Sequence, residues 1–135
     1  MDKEREEQVI SLCQKLVQQK SYSGEESGVV SVLSENMKQM GFDEVKVDKY
    51  GNIIGCIKGK RPGKRILFDG HIDTVPVTEE TEWIHPPFAA EIHDGKIYGR
   101  GTSDMKGAVA AMTCAASSYA KDTGKDFAGE IYVAG

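Results

Sequence analysis

The chain has 135 residues and a net charge of −4, and it contains no block of like charges. Apolar residues make up 39% and charged residues 28%, which is the usual balance of a globular domain with one core. These values give no reason to expect a nucleic acid or a membrane as partner. No apolar run approaches the ~20 residues that are needed to span a bilayer.

The cysteines indicate a reducing environment. Cys13, Cys56 and Cys114 are an odd number and form no CxxC motif, which predicts free thiols. The N-terminal segment is charged and amphipathic, and it lacks the apolar centre of a signal peptide. We therefore expect a cytoplasmic protein.

The first third of the chain predicts two helices. Apolar residues recur at helical spacing across residues 3–19 and again from about Glu26 to Met40. The segment SYSGEES at 21–27 separates them with turn-forming residues, and Gly41 is a natural C-terminal stop.

The middle of the chain changes to the period of strands. Val45 and Val47 alternate with charges, and residues 53–57 predict the return strand of a hairpin. Residues 58–64 predict a solvated turn, and Arg65 to Asp69 a buried strand.

The last third begins with a polar loop at 78–87. Two short strands are then predicted around Asp94-Gly95, the strongest short hairpin signal in the chain. An Ala-rich helix is predicted to follow Asp104 and to extend to about Ala120, and the final GEIYVAG predicts another buried strand. This order of elements predicts an α/β sandwich with a mixed sheet.

The segment DGHIDTVPV follows directly after the strand at 65–69. Residues i and i+2 of an extended segment point the same way, so His71 and Asp73 share one face beyond a strand end. Ligands bind at such ends in open α/β sheets, and a carboxylate there can orient a metal-binding imidazole. By itself, however, an HxD pattern is more often a polar turn.

The second segment is GRGTSDMKG at 99–107. Its three glycines indicate close backbone approach or unusual dihedral angles. Asp104 lies where the turn is predicted to become a helix, and free N–H groups at a helix start favour a carboxylate. The glycine spacing matches neither a P-loop nor a dinucleotide-binding fingerprint.

Together, DGHIDTVPV and GRGTSDMKG resemble the M20 family of zinc peptidases and deacylases. Trp83, the Pro87-Phe88 pair and DGKIYGRG, which lie between them, extend the resemblance. The family includes aminoacylases, acetylornithine deacetylase, succinyl-diaminopimelate desuccinylase and glutamate carboxypeptidases. The resemblance implies a three-layer sandwich with a mixed, mostly parallel sheet. It also implies metal-dependent hydrolysis of C–N amide bonds in peptides or N-acyl amino acids.

The resemblance implies a role for each matched residue. His71 would bind one zinc ion, Asp104 would bridge two zinc ions, and Asp73 would be the catalytic aspartate that orients His71. A bridging carboxylate can hold two metals ~3.5–4 Å apart, and such a pair can activate water and polarise a carbonyl. Cobalt or manganese would suit the same nitrogen and oxygen ligands.

The chain offers fewer matched ligands than the ~3 protein ligands of a typical catalytic zinc site. The family's Glu-Glu pair, its later acidic ligand, its C-terminal histidine and its inserted second domain find no match here. We therefore expect residues 1–135 to be the N-terminal portion of a single catalytic domain, whose complete form could act as a homodimer. The alternative is a non-catalytic fragment or binding module that keeps the fold without turnover.

Three further residues are interpreted as having no role in the site. His85 and His93 match no metal position of the family and are expected to be ordinary loop histidines. Lys106 is expected to be a solvated lysine near a helix start. The substrate, and the choice between peptidase and deacylase, stay open at this point.

Overall fold

The computed structural model describes residues 1–135 as three helices, a four-stranded sheet and a separate hairpin. The helices are α1 (Lys3–Gln18), α2 (Ser27–Gln39) and α3 (Gly107–Thr123). The strands are β1 (Glu44–Val47), β2 (Ile53–Lys58), β3 (Arg61–Asp69), β4 (Glu91–His93), β5 (Lys96–Tyr98) and β6 (Ala128–Ala134). A short 3₁₀ turn at Glu80–Glu82 lies in the loop before β4.

The first two helices confirm the prediction from apolar spacing. The Asp2 side chain accepts a hydrogen bond of 2.9 Å from the backbone N–H of Arg5, which caps the start of α1. The side chains of Leu16 and Val17, on the face of this helix that meets the core, are completely buried. The chain leaves α2 through Gly41 at a φ of 86°, a conformation that glycine adopts without strain.

The main sheet has the strand order β1-β2-β6-β3. The β1–β2 and β2–β6 pairs are antiparallel, whereas β6 and β3 are parallel. The mixed α/β fold is therefore confirmed, but the parallel majority that the resemblance implied does not occur in this chain. The reason is that β2 returns from β1 in a hairpin and β6 runs against it, so only the crossover through α3 produces a parallel pair.

The core lies between the sheet and the helices. Ile53 and Ile57 of β2 and Ile131 and Val133 of β6 share one face and belong to the same buried cluster as the helices. Helices α2 and α3 pack on this face, and α1 packs against both of them. Residues 1–135 thus form two layers, and the third layer that the resemblance implied is not built by them.

The structure corrects the prediction of a buried strand at 65–69. Strand β3 begins four residues earlier, at Arg61, pairs only with β6, and is exposed at every position. Ile66, Leu67 and Phe68 are 50%, 60% and 43% exposed. An apolar run normally indicates burial on both faces, but β3 lies at a sheet edge, so its apolar side chains stay accessible.

The remaining predictions concern the cysteines, membrane-spanning segments and the location of the protein. All three cysteines are free and buried, which confirms the expectation of separate thiols. None of the three helices combines the length and the apolar character that crossing a bilayer requires. The cytoplasmic location stays a prediction.

Candidate functional site

The parallel pairing of β3 with β6 brings the ends of both strands to one edge of the sheet. Asp69, the last residue of β3, pairs with Ala134 in β6, and Gly70 N–H donates a 3.1 Å hydrogen bond to the Ala134 carbonyl. The segment after Gly70 therefore leaves the sheet where ligands bind in open α/β folds.

The turn between α1 and α2 holds this segment in place. Thr74 N–H donates to the Ser21 carbonyl at 2.8 Å, and the Ser21 hydroxyl donates to the Ile72 carbonyl at 2.8 Å. Val77 N–H donates to the Tyr22 hydroxyl at 3.0 Å. Because Ser21 and Thr74 are both buried, these bonds fix the backbone on either side of His71 and Asp73.

Asp104 lies in an irregular turn rather than at the start of a helix. Its φ and ψ of −127° and 90° are extended, and α3 begins only at Gly107. The predicted helix start, directly after Asp104, is therefore two residues too early. The Asp104 side chain is 88% exposed and does not cap the helix. This leaves the carboxylate available to a neighbour or a ligand.

Gly101 explains how this turn approaches the loop that carries His71. Its φ is +87°, and a Cβ atom there would lie 2.8 Å from Thr74 Cγ2 and 3.2 Å from Lys106 Cδ. Glycine removes both the backbone strain and the collision.

The three predicted site residues come together at this point. His71 Nε2 is 2.8 Å from Asp104 Oδ1, and His71 Nδ1 is 3.0 Å from the Asp73 carbonyl oxygen and 3.3 Å from its Oδ1. They line a cavity of about 230 Å³ that also includes Arg100 and Ser103. The geometry thus unites two segments that are 33 positions apart.

Charge pairing shapes the protonation of the site. The hydrogen bond to Asp104 raises the pKa of His71; burial opposes this, and the contacts with Asp73 support it. The hydrogen bond from the Ser23 hydroxyl lowers the pKa of Asp73, and the nearby His71 lowers it further. The arrangement therefore stabilises an imidazolium between carboxylates.

The same ligands are suited to a divalent cation. In a neutral imidazole, a proton on Nδ1 facing Asp73 leaves the lone pair of His71 Nε2 directed toward Asp104. An imidazole nitrogen beside a carboxylate oxygen suits zinc, cobalt or manganese. His71 and Asp104 thus fit part of a metal site, and Asp73 fits the residue that fixes the tautomer.

Arg100 is a polar residue of the same cavity that the sequence did not single out. Its guanidinium carbon lies 5.2 Å from the centre of the Trp83 ring, and its buried Nε has no hydrogen-bond partner. The guanidinium lies over the face of the Trp83 ring, where a cation–π interaction holds its position.

The prediction that Lys106 is solvated is wrong. It is completely buried, its ammonium donates a 2.7 Å hydrogen bond to the Gln19 carbonyl, and burial lowers its pKa to about 8. The sequence suggested a solvated residue because the tight turn at Gly101, which folds over the lysine, is not visible in a pattern of polar residues.

Sequence reasoning also missed a group formed by His85, Glu91 and His93. One nitrogen or carboxylate oxygen from each residue lies within 4.8 Å of the other two. The ExH pattern in β4 was the only signal, and it gave no indication that the loop carrying His85 folds back over the strand.

A larger cavity of about 690 Å³ lies between α3 and the β3–β6 edge, lined mainly by apolar side chains such as Phe68, Met112 and Tyr119. It contains none of the three predicted site residues. The smaller polar cavity is therefore the better candidate for chemistry.

Comparisons with known proteins identify the family and the fold. The family model described as "Peptidase family M20/M25/M40" matches residues 67–135. Succinyl-diaminopimelate desuccinylase from Vesicomyosocius okutanii subsp. Calyptogena okutanii is 38% identical over 115 residues, which are 84% of this chain and 30% of that protein. The chain thus spans about 30% of the length of this curated relative.

Two solved structures share the fold. The di-peptidase Dug1p from Saccharomyces cerevisiae matches with a TM-score of 0.76 and 23% identity, over 96% of this chain and 31% of that chain. The YXEP protein of Bacillus subtilis, titled a dinuclear metal binding peptidase from the M20 family, matches with a TM-score of 0.70 and 19% identity. That match covers 99% of this chain and 35% of the other.

Proposed function

Since the chain belongs to peptidase family M20/M25/M40, we propose that it acts as the N-terminal part of the catalytic domain of a metal-dependent hydrolase. The reaction is hydrolysis of a C–N amide bond in a peptide or an N-acyl amino acid. The contact of His71 with Asp104, at the end of β3, is the single observation that carries the proposal.

His71 and Asp104 are the residues that would hold the metal. Asp104 would bridge two zinc ions, a proposal supported by the exposure of its carboxylate and by the dinuclear relative. When bound, such ions polarise a substrate carbonyl and make water more acidic.

Asp73 has a positioning role in this proposal. Its carbonyl and carboxylate hold the Nδ1 side of His71, so Nε2 stays directed toward Asp104. The hydroxyl of Ser23 in turn donates to the Asp73 carboxylate and fixes its orientation. This chain of contacts keeps the imidazole in the tautomer that a metal ligand needs.

Arg100 gives the cavity a group that suits a substrate with a carboxylate. Arg100 lines it together with His71, and peptides and N-acyl amino acids both carry a carboxylate that a guanidinium can bind. The desuccinylase relative is consistent with an acylated substrate of this kind.

The alternative is a non-catalytic module that keeps the fold without turnover. The observation that favours it is the small number of ligands, since His71 and Asp104 are fewer than the ~3 protein ligands of a catalytic zinc site. It differs from the first proposal in predicting that no amide is hydrolysed with any metal.

The test uses the full-length protein as the cell makes it. Hydrolysis of an N-succinyl amino acid, an N-acetyl amino acid and a dipeptide is measured with zinc, cobalt or manganese, beside a metal blank. We expect metal-dependent hydrolysis of at least one substrate, and its loss in Asp104→Asn. Undiminished turnover in that variant would overturn the roles of the residues, and no turnover with any metal would favour the non-catalytic module.

A further inference from the structure

Two of the three histidines in the chain belong to a cluster outside the cavity at His71. His85 comes from the loop that follows the 3₁₀ turn, and Glu91 and His93 come from β4. The potential ligand atoms of these three residues lie within 4.8 Å of one another. We refer to His85, Glu91 and His93 as the hairpin cluster.

The β4–β5 hairpin places two members of the hairpin cluster on one face. Glu91 and His93 are two positions apart in a strand, so their side chains point the same way. Tyr98 pairs with Glu91 across the hairpin, and its ring centre lies 4.2 Å from that of His85. The rings of His85 and His93 are stacked, with centres 4.3 Å apart and planes at 22°. Ring contacts thus hold the loop histidine over the strand.

The carboxylate of Glu91 lies between the two imidazoles. Its Oε1 is 3.1 Å from His93 Nε2 and 3.8 Å from His85 Nδ1. No lysine or arginine forms an ion pair with Glu91, so histidines are its only partners. When both imidazoles are neutral, the negative charge of Glu91 has no compensating cation.

The surroundings of His85 also favour a cation. His85 lines a surface cavity of about 570 Å³ together with Glu79, Glu82 and Tyr98. The two additional carboxylates raise the local concentration of cations, and the cavity opens to solvent. A small ion can therefore reach the hairpin cluster without passing the cleft at His71.

We propose that the hairpin cluster binds a divalent transition-metal cation such as zinc, separate from the metal proposed at His71. Two imidazole nitrogens and one carboxylate oxygen are a ligand set that zinc accepts, and a fourth position remains for water. Zinc bonds of ~2.0–2.2 Å place neighbouring ligand atoms ~3.3 Å apart, and each imidazole binds an ion in its own plane. Binding therefore requires His85 to turn out of its stack with His93 and to close the 3.8 Å separation from Glu91.

Binding would connect the loop at 78–87 with the hairpin. The same loop carries Trp83, on which Arg100 of the candidate site stacks. The ion would therefore stiffen the loop that supports Arg100, and it would stabilise the folded state by binding it preferentially.

The experiment is a zinc titration of the full chain near neutral pH, followed by NMR of the imidazole nitrogens. Because the chain has three histidines, every resonance can be assigned with single substitutions. We expect His85 Nδ1 and His93 Nε2 to shift with one common midpoint. We also expect zinc to raise the thermal unfolding temperature.

Substitution separates this site from the one at His71. His93→Gln should weaken the zinc response of His85 by at least ~10-fold, since losing even an outer-sphere partner of a metal ligand costs 10–100-fold. The matched control, His71→Gln, should leave the responses of His85 and His93 unchanged. Equal unfolding temperatures of the two variants without zinc would exclude a folding defect.

Two results would overturn the proposal. One is that His85 and His93 shift with different midpoints, as two independent surface histidines would. The other is that the response of His85 is the same in His93→Gln as in the unsubstituted chain. Neither result would bear on the role of His71, because that residue lies in another cavity.

Discussion

His71 Nε2 lies 2.8 Å from Asp104 Oδ1, although 33 positions separate the two residues. The contact forms where the end of β3 meets the turn before α3, and Gly101 allows the two backbones to approach. Neither residue is buried, so burial does not account for the pairing. The arrangement is that expected of a binding site in an α/β fold.

The buried position of Lys106 gives a first prediction. Its stem fills space beneath Gly101, so Lys106→Ala should lower the free energy of unfolding by ~2–5 kcal/mol through the cavity it creates. Lys106→Met keeps most of the side-chain volume, so its loss in the free energy of unfolding should be smaller than that of Lys106→Ala by at least ~1 kcal/mol. Urea unfolding of both variants measures the difference. Values within ~0.5 kcal/mol of the unsubstituted chain for both would indicate a solvated side chain instead.

Gly129 gives a second prediction, about the junction of β6 with β3. Its φ is +98°, and a Cβ atom there would lie 1.9 Å from the Lys64 carbonyl oxygen. Gly129→Ala should therefore lower the free energy of unfolding by more than the ~1 kcal/mol that left-handed backbone strain alone would cost. Gly51→Ala is the matched control, since Gly51 has a φ of +91° and open space around it. Equal thermal unfolding temperatures of the two variants would contradict the close approach.

The turn between β1 and β2 gives a third prediction, on pH. The Asp48 carboxylate accepts hydrogen bonds from Tyr50 N–H, Asn52 N–H and Asn52 Nδ2, and the bond from the Asn52 side chain contributes most to lowering its pKa. A lowered pKa means that this stabilisation is present above the ordinary pKa of aspartate. It is lost as the pH falls through the lowered value.

Asp48→Asn should therefore shift the urea midpoint downward at pH 7, and this effect should shrink as the pH falls through the lowered pKa of Asp48, because the carboxylate then becomes protonated in both states. Asp94→Asn, at a turn residue whose side chain makes no hydrogen bond in the structure, is the control. A midpoint difference for Asp48→Asn that is independent of pH would contradict the assignment.

The sequence predicted those parts of the fold that depend on local patterns. The hairpin at Asp94-Gly95 and the helices α1 and α2 are where residue spacing placed them. Strand β3 was wrongly predicted to be buried. An apolar run in the sequence does not reveal whether its strand lies at the edge of a sheet. The start of α3 was missed because the extended backbone at Asp104 depends on contacts across the cavity.

The candidate site was predictable to a similar extent. The motifs identified His71, Asp73 and Asp104, and the structure brings them together, but their roles in catalysis and metal binding stay proposals. The hairpin cluster was not predictable as a whole, because the ExH spacing in β4 does not reveal that the loop carrying His85 folds back over the strand.

The most direct measurement of the central claim uses the full-length protein with the substitutions His85→Gln and His93→Gln, in which the resonance of His71 is identified by its loss in His71→Gln. Zinc is titrated while the Nε2 resonance of His71 is followed by NMR, with and without the further substitution Asp104→Asn. If His71 and Asp104 hold a metal together, zinc shifts the resonance, and Asp104→Asn weakens this response by at least ~10-fold. A response that Asp104→Asn leaves unchanged, or a full-length protein in which zinc does not shift the His71 resonance, would contradict the account.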